Sequence, residues 1–290
     1  MSNDRLVKVT VVVPSYNQGY FIDDTVQSIL TQDYANIEVI VIDGKSTDGT
    51  LEVLSCYTDR IQVVSEQDAG QSSAINKGFS MATGDVVTWL NSDDIYPYRI
   101  AISTMVAAFA KNPQLDFLYG NFCEIDKSNR LLRAYKRPGF SERRLLRIGY
   151  ISQPATFFRR RVIEAMSLRE DLHYALDLEY WLRGASRNFK FNHIDFLMAA
   201  ERLHEDAKCI RNAEELAEEA HAVRQSYGAR FDWLHSVSCF ADRVYLYILR
   251  LRGISALSKY QQTPTLWTVP LDARGAKIRT VLGRKFSTTA

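Results

Sequence analysis

Two adjacent aspartates end the stretch DVVTWLNSDDIYP, in which an apolar run leads directly into Asp93 and Asp94. Two like charges at the end of a buried segment disfavour each other's ionisation unless a cation lies nearby. Carboxylate oxygens are the ligands that hard divalent cations such as Mg²⁺ and Mn²⁺ prefer. An Asx-type turn, in which Asn, Ser and Asp bond their own backbone, is the alternative without a metal.

Apolar runs rich in β-branched residues recur along the first 120 residues and predict strands that are buried on both faces of a sheet. These runs are VKVTVVV, IEVIVI, IQVVS, DVVTWL and LDFLYG. The segments between them have helical spacing of apolar positions, as in GYFIDDTVQSILTQ. Such strand–helix repetition predicts an α/β fold with a mostly parallel sheet and helices on both faces.

The first four predicted strands end in PSYNQG, DGKSTDGT, EQDAG and NSDD. In open α/β sheets ligands bind beyond the carboxyl ends of the strands, where the loops collect. Three of these ends supply carboxylates, and a metal that in turn holds a phosphate relieves their mutual repulsion. The four ends together therefore favour a cation at the acid pair over a plain turn.

The pattern changes after about residue 120. NFCEIDKSNRLLRAY predicts a hairpin that turns around residues 127–129, ATFFRR a strand, DLEYWLRGASR a helix, and FKFNHIDFLMAAERLH one or two strands. From about Lys208 onward the chain is predicted to be mainly helical, first acidic and then basic.

Composition excludes several classes of protein. The 290 residues are 46% hydrophobic and 24% charged with a net charge of +2, which is typical of a soluble globular protein and not of a nucleic-acid-binding one. The four cysteines match no zinc spacing. Neither a signal peptide nor a run of roughly 20 apolar residues is recognised, so we expect a cytoplasmic protein. Residues 229–290 hold ten Lys and Arg against three Asp, which suits contact with an anionic surface or a solvated helical face.

Read together, these motifs resemble a family 2 glycosyltransferase of the GT-A fold, with its Rossmann-like sheet. The resemblance covers about residues 8 to 206 through VTVVVPSYNQGYFIDDTVQSILTQDYANIEVIVIDGKSTDGT, EQDAGQSSAINKGF, ATGDVVTWLNSDDIY, ISQPATFFRR, ALDLEYWLRGA and ERLHED. No GxGxxG or Walker A loop is present. The resemblance implies a catalytic domain over 1–207, whose nucleotide-sugar half is about 1–110 and whose acceptor half is 111–207, followed by a helical C-terminal extension over 208–290.

The resemblance also implies a site for a nucleotide-sugar donor, a UDP-sugar or a related compound. Asp43 resembles the family residue that bonds the uridine base, with Pro14 and Tyr16 beside that base. Packing is the alternative for Tyr16, and ordinary helix-start roles are the alternative for Gln71 and Asn76. The full predicted donor set is Pro14, Tyr16, Asp43, Asp68, Gln71, Asn76, Lys77, Asn91, Ser92 and Asp94.

NSDD stands where the family has its DxD motif, with Asn91 in place of the first acid. Because a neutral amide supplies no charge to a metal, we assign the divalent cation, Mn²⁺ or Mg²⁺, to Asp93. Asp94 is expected near the ribose or donor sugar, or as a second ligand. His204 resembles a family histidine that approaches the metal or the diphosphate, and a structural role is its alternative.

The resemblance places the catalytic base at Asp177, which precedes the aromatic part of ALDLEYWLRGA. Glu179 lies two positions further, so a helix turns it to a different face. We predict an ion pair between Glu179 and Arg183 four residues later, and a catalytic role for Glu179 is the alternative.

The function implied is metal-dependent, inverting transfer of a sugar to a saccharide or lipid-linked saccharide acceptor in surface polysaccharide synthesis (O-antigen, capsule or exopolysaccharide). The basic stretch KRPGFSERRLLRIGYISQPATFFRR is expected to border the acceptor, and suits a diphosphate-linked lipid. The apolar and arginine-bearing stretch 243–252 predicts a helix that lies on the inner face of the membrane, or one that packs on the catalytic domain or a partner subunit. A non-catalytic nucleotide-sugar- or carbohydrate-binding module and a sugar nucleotidyltransferase are the alternative functions.

Overall fold

The computed structural model describes residues 6–205, 207–229 and 238–249. Its strands are β1 (Val9–Ser15), β2 (Ile37–Asp43), β3 (Gln62–Ser65), β4 (Val86–Trp89), β5 (Phe117–Asp126), β6 (Leu131–Tyr135), β7 (Thr156–Arg159) and β8 (Phe191–Leu203). They form one sheet in the order β3-β2-β1-β4-β7-β5-β6, and β8 pairs with β5.

Helices connect these strands and continue beyond them. They are α1 (Ile22–Leu30), α2 (Thr50–Leu54), α3 (Gln71–Met81), α4 (Ala101–Lys111), α5 (Glu142–Arg147), α6 (Arg160–Ala165), α7 (Leu176–Ser186), α8 (Lys208–Arg211) and α9 (Ala213–Ser226). Residues 238–249 form a further helix, α10. None of the helices in the described ranges has the length and apolar character needed to span a bilayer.

Strands β1 to β4 pair in parallel, as the sequence predicts. All of β1 and the last five residues of β2 are buried because helices cover both faces of this half of the sheet. Gly78 brings α3 against β1, since a Cβ at this glycine would come within 2.3 Å of a Val12 methyl group. Ser15 lies opposite Asp43, and Asp43 opposite Ser65, so the carboxyl ends of β1 to β3 meet at one edge.

The second half of the sheet is mixed. Strand β7 is antiparallel to both β4 and β5, and β5 and β6 form the predicted hairpin. Asn129 turns this hairpin with a φ of 63°, a conformation that asparagine tolerates better than most residues. The segment predicted as one or two strands is the single long strand β8, which runs parallel to β5 with shifts in register.

The helices after residue 207 share a core with the part of the chain that precedes them. Ala220 and Val223 of α9 belong to the same apolar cluster as Leu178 and Trp181 of α7, and Leu246 of α10 packs against that cluster. The boundary predicted at residue 207 therefore does not coincide with a gap between two cores.

Candidate active site

The acid pair lies in a tight turn after β4 that two other elements hold in place. Asp94 donates its backbone N–H to the carbonyl of Asn91 at 3.0 Å, so the Asx-rich turn is present. The hydroxyl of Thr25 in α1 donates to the carbonyls of Ser92 and Asp94 at 2.9 and 2.8 Å. From β8, Arg202 Nε donates to the carbonyl of Asp93 at 2.7 Å. The loop is thus fixed between α1 and β8.

Asp93 and His204, the two predicted metal ligands, lie beside each other. His204 Nε2 is 3.0 Å from Asp93 Oδ2, although 111 residues separate them along the chain. The imidazole packs against the ring of Phe21, with a centroid distance of 4.7 Å. Among the described residues, no cluster of three or more His, Cys, Asp or Glu side chains is arranged around a metal position. One carboxylate and one imidazole fit a divalent ion that takes its remaining ligands from a bound phosphate and not from a cage of protein groups.

Asp94 is enclosed instead of facing solvent. It is only 4% exposed, and it accepts bonds from the Arg202 backbone N–H at 2.9 Å and from Asn91 Nδ2 at 3.3 Å. Burial, followed by the charges of Asp93 and Glu201, raises the pKa of Asp94 well above its ordinary value. This geometry makes Asp94 a brace of the acid loop. Its neighbour Ser92 is equally buried.

A chain of hydrogen bonds joins three predicted donor residues to a lysine from α8. Lys208 Nζ donates to Gln71 Oε1 at 3.0 Å, and Gln71 Nε2 donates to Asn91 Oδ1 at 2.9 Å. Asn91 in turn donates to Asp94. Since every amide in this chain has one donor and one acceptor partner, the orientation of Gln71 and Asn91 is fixed. Lys208 was not predicted as a site residue because its sequence neighbours carry no motif.

The ends of β2 and β3 lie at the same edge of the sheet. Asp43 is fully buried and accepts bonds from the Ser46 backbone N–H at 3.0 Å, the Ser65 hydroxyl at 2.7 Å and the Ser46 hydroxyl. A Cβ at Gly44 would lie 3.2 Å from the Tyr16 ring and 3.0 Å from an Asp68 carboxylate oxygen, so both side chains border this glycine.

Tyr16 and Pro14, the two residues predicted beside the base, differ in their exposure. Tyr16 is 63% exposed, so its ring is free to flank a ligand and is not packed in the core. Pro14, by contrast, lies buried within β1 opposite Ile42. The carboxyl group of Asp43 is covered by the two serines, and contact with a base would require its one remaining lone pair.

The structure does not bring Asn76 or Lys77 to the acids. The Asn76 side chain donates to the Leu168 carbonyl at 2.9 Å and to Glu170 at 3.0 Å, and accepts from the Leu168 backbone N–H at 2.8 Å. Lys77 forms an ion pair with Glu66. Asn76 therefore braces the loop before α7, and its predicted donor role has no support in this arrangement.

Asp177 lies in the first turn of α7 and lines a cavity of about 350 Å³. Its Oδ1 accepts the backbone N–H of Leu178 at 2.7 Å. Burial raises its pKa to about 6, and this hydrogen bond and the charge of Arg224 oppose the rise. A carboxylate of this kind is ionised at neutral pH and accepts a proton more readily than an ordinary aspartate.

Glu179 is directed elsewhere, as the sequence predicts. It is 2% exposed and forms an ion pair with Arg183 at 3.0 Å. The hydroxyl of Tyr227 also donates to Glu179, at 2.8 Å. The predicted ion pair is confirmed, and it accounts for this buried carboxylate.

Glu201 is a titratable group of the site that sequence reasoning missed. Ser152 donates to it at 2.6 Å, and burial raises its pKa to about 7. The charge of Glu201 acts on Asp94, and that of Asp177 acts on Glu201. Glu201 is the first residue of ERLHED, the stretch from which a role was predicted for His204 alone.

Glu219 of α9 was also missed, although it holds the start of α7. Its carboxylate accepts backbone N–H groups of His173, Tyr174 and Ala175 at 2.8 to 3.1 Å. These N–H groups belong to the turn that leads into α7, and a negative charge at the N-terminal end of a helix is favourable. No spacing rule reveals such a cap, because it comes from a helix more than 40 residues away.

Gln153 gives the QPATFFR stretch a structural role. It is 8% exposed and donates to the carbonyl of Trp89, the last residue of β4, at 2.6 Å. This bond ties the segment before β7 to the strand that carries the acid loop. The motif thus fixes the junction between the parallel and the antiparallel halves.

A sheet whose first half is parallel, whose second half is mixed and whose carboxyl edge carries an acid–histidine pair defines the chain as a protein of the GT-A fold class. A profile described as "Glycosyl transferase family 2" matches residues 10–167, more than half of the chain. The protein belongs to this family, which confirms the resemblance found in the sequence.

Two relatives illustrate the range of sequence similarity. Glycosyltransferase GlyG of Streptococcus pneumoniae serotype 4 (strain ATCC BAA-334 / TIGR4) is 34% identical over 125 residues, which are 42% of this chain and 41% of the relative. Chondroitin synthase of Pasteurella multocida (strain Pm70) is 29% identical over 216 residues, 72% of this chain and 22% of the relative. The matched region is thus less than half the length of either relative.

Solved structures share the fold. TarS 1–349 of S. aureus, in complex with UDP-GlcNAc, has a TM-score of 0.63 at 20% identity. The match covers 94% of this chain and 81% of the TarS chain. The mannosyltransferase PcManGT from Pyrobaculum calidifontis, in complex with GDP-Man and Mn²⁺, has a TM-score of 0.60 at 21% identity, with coverages of 96% and 81%. At these identities the similarity confirms the fold class alone.

We predict that Glu219→Ala lowers turnover without weakening nucleotide binding, because the substitution releases the start of α7 and with it Asp177. Loss of a helix cap also lowers the free energy of unfolding, by about 1 to 2 kcal/mol.

Glu219→Gln, which retains an acceptor oxygen, should restore most of the turnover. Glu218→Ala, a change at the exposed neighbouring position, is the control. Steady-state kinetics and calorimetry with UDP check this, and equal losses in the alanine and glutamine variants would contradict it.

Proposed function

We propose that the protein is a metal-dependent, inverting glycosyltransferase that moves a sugar from a nucleotide-diphosphate donor to a saccharide or lipid-linked saccharide. The observation that carries this is a separation of roles between two places in the fold. Asp93 and His204 pair at the carboxyl edge of the sheet, and one carboxylate with a pKa of about 6, that of Asp177 on α7, lines a cavity. A binding module without catalysis would not need a poised carboxylate at the second position.

Asp93 and His204 are the residues that would hold a divalent cation, Mn²⁺ or Mg²⁺. When bound, such an ion neutralises charge that develops on the diphosphate leaving group. Asn91 and Gln71, whose amides are held by Lys208 and Asp94, are suited to orient hydroxyl groups of the donor. The turn fixed by Thr25 and Arg202 keeps these groups in place before the donor arrives.

The proton transfer falls to Asp177. Its carboxylate takes the proton of an acceptor hydroxyl while that oxygen forms a bond to the anomeric carbon and the bond from this carbon to the diphosphate oxygen breaks. General-base catalysis of this type contributes about 100- to 10,000-fold. A single displacement inverts the anomeric configuration and requires one such base.

The exposed ring of Tyr16 beside Gly44 supports the binding of a nucleotide base at this place, with Asp68 and Asp43 as polar partners. We propose a UDP-sugar as the donor, because a carboxylate that accepts a hydrogen bond suits the N–H of a uracil ring. TarS with UDP-GlcNAc and PcManGT with GDP-Man show that the fold accommodates more than one nucleotide.

Helix α10 supports contact with the inner face of a membrane, where a lipid-linked acceptor for surface polysaccharide synthesis would be found. One side is anchored, since Asp242 is 7% exposed and pairs with Arg144 at 3.1 Å and Arg147 at 2.6 Å. The exposed residues Phe240, Val244, Tyr247 and Ile248 repeat at helical spacing. The helix thus has a packed side and an exposed apolar face, and residues 250–252 of the predicted helix lie outside the described residues.

We predict that Asp177→Asn lowers turnover by about 100-fold or more while donor affinity is kept. Wild-type turnover should fall as the pH drops below about 6, because the base becomes protonated. The residual turnover of the variant should not show this fall. The control is Asp171→Asn, an exposed aspartate before the same helix. An active Asp177→Asn enzyme would exclude this residue as the base.

The same variant should be more stable than the wild type at neutral pH. The raised pKa means that ionising Asp177 disfavours the folded state, so the wild type loses stability as the pH rises from about 4 to 6 and stays at the lower value above that range. The shift corresponds to about 1 to 3 kcal/mol. Denaturant unfolding at pH 4 and at pH 7.5 checks this, with a gain for Asp177→Asn expected only at the higher pH.

Asp93→Asn should abolish transfer and remove the effect of manganese on nucleotide binding, because the amide no longer supplies charge to the cation. Calorimetry with UDP, with and without Mn²⁺, measures this directly. Asp33→Asn, at an exposed position, is the matched control. A variant that still binds UDP more tightly with Mn²⁺ would place the cation elsewhere.

Membrane contact predicts that the full-length protein sediments with vesicles of anionic lipid at low salt and is released as salt is raised. Val244→Ser combined with Ile248→Ser should reduce sedimentation, and Leu51→Ser combined with Leu132→Ser, at exposed leucines elsewhere, should not. If the wild type does not sediment, α10 does not dock on lipid.

A further inference from the structure

The cavity beside Asp177 is mainly apolar and is closed by the helices that follow the catalytic half. Its walls come from α5, the loop after it, α7 and α9, and include Leu145, Ile151, Leu178, Trp181 and Leu216. Its volume of about 350 Å³ is at the lower end of the range for ligand sites, about 300 to 1,000 Å³. This size suits one sugar unit with its substituents.

Among the described residues, the charged side chains that line this cavity are Asp177 and Arg224. Arg224 Nε is buried and, within the described part of the chain, has no hydrogen-bond partner. Its Nη1 makes only a long contact of 3.5 Å with the carbonyl of Ala220. Trp181 Nε1, on another wall, is likewise buried and without an acceptor among the described residues. Leaving such donors unpaired is costly, so the site is suited to a ligand with acceptor oxygens.

The charges around Arg224 favour an anion. The negative charge of Asp177 acts on Arg224, but Asp177 must remain available to the acceptor hydroxyl. The positive charge of Arg243 in α10 also acts on Arg224. Gly149 lies beside the guanidinium, since a Cβ there would be in ordinary contact with Arg224 Nη2 at 3.4 Å. A planar guanidinium of this kind matches carboxylate and phosphate oxygens well.

We propose that this cavity binds an acidic unit of the acceptor, a sugar or lipid-linked sugar whose carboxylate or phosphate pairs with Arg224 while a hydroxyl faces Asp177. The apolar walls receive the less polar face of the sugar ring. The identification of the unit as an acceptor rests on the proposed transferase function, whereas the preference of the cavity for an anion does not.

The test uses the full chain in the presence of UDP, with glucuronic acid, glucose 1-phosphate and glucose as probes and binding followed by saturation-transfer NMR. The wild type should bind at least one acidic probe about tenfold more tightly than glucose, a difference of about 1.4 kcal/mol. Which acidic probe binds more tightly distinguishes a carboxylate from a phosphate. Arg224→Gln should remove the preference, and Arg224→Lys should keep part of it. Lys111→Gln, which removes one exposed positive charge on α4, should keep it in full.

Equal binding of glucose and both acidic probes by the wild type would overturn the proposal, as would equal loss of the preference in Arg224→Gln and Lys111→Gln. Hydrolysis of nucleotide sugars without an acceptor is measured in parallel. Donor hydrolysis without a preference for acidic probes contradicts the cavity assignment alone. A preference for acidic probes, without hydrolysis or transfer with any donor, contradicts the transferase function and leaves the anion site in place.

Discussion

The buried guanidinium of Arg202 is the contact on which the donor side of the molecule depends. It donates to the carbonyl of Asp93 and to Asn129 of the hairpin turn, pairs with Asp24 of α1 at 3.3 Å and lies over the ring of Phe21. A cation at this position offsets the repulsion that the sequence shows at the acid pair. It also holds the acid loop against α1, β8 and the β5–β6 hairpin at once. A buried charge left without these partners would be strongly unfavourable, so the four elements are held together.

A second constraint connects the two sides of the site. The antiparallel strand β7 lies between β4 and β5, and Gln153 ties the segment before it to Trp89 at the end of β4. Glu201 of β8 accepts a hydrogen bond from Ser152 of the same segment, and Glu219 of α9 accepts backbone N–H groups at the start of α7. The acid–histidine pair therefore depends on the sheet, whereas the position of Asp177 depends on the helices after it.

Much of the fold was predictable because its causes are local. Runs of β-branched residues predict β1 to β4, and helical spacing predicts the helices that cross between them. The adjacency of Asp93 and His204 followed from the resemblance to the family, and periodicity alone would not give it. The ion pair of Glu179 with Arg183 followed from helix geometry.

The missed residues share a physical cause. Glu201, Glu219 and Arg224 act through partners far away in sequence, on other strands or helices, so no local pattern marks them. Asn76 shows the reverse case, because its place in a matching motif suggested a ligand while its amide is bonded to the loop around Leu168. Motifs locate the edge of the sheet where chemistry occurs, but tertiary contacts decide which side chain at that edge is available.

Helix α9 contributes to the cavity wall without pairing with any strand. Substitutions on its inner face can alter the shape and charge of that wall while every strand register and the acid loop stay as they are. Glu219 is the exception, because it is bonded to α7. In evolutionary terms, the short stretch of coding sequence for α9 can change by drift or recombination while the stretch that encodes the acid loop is inherited unchanged.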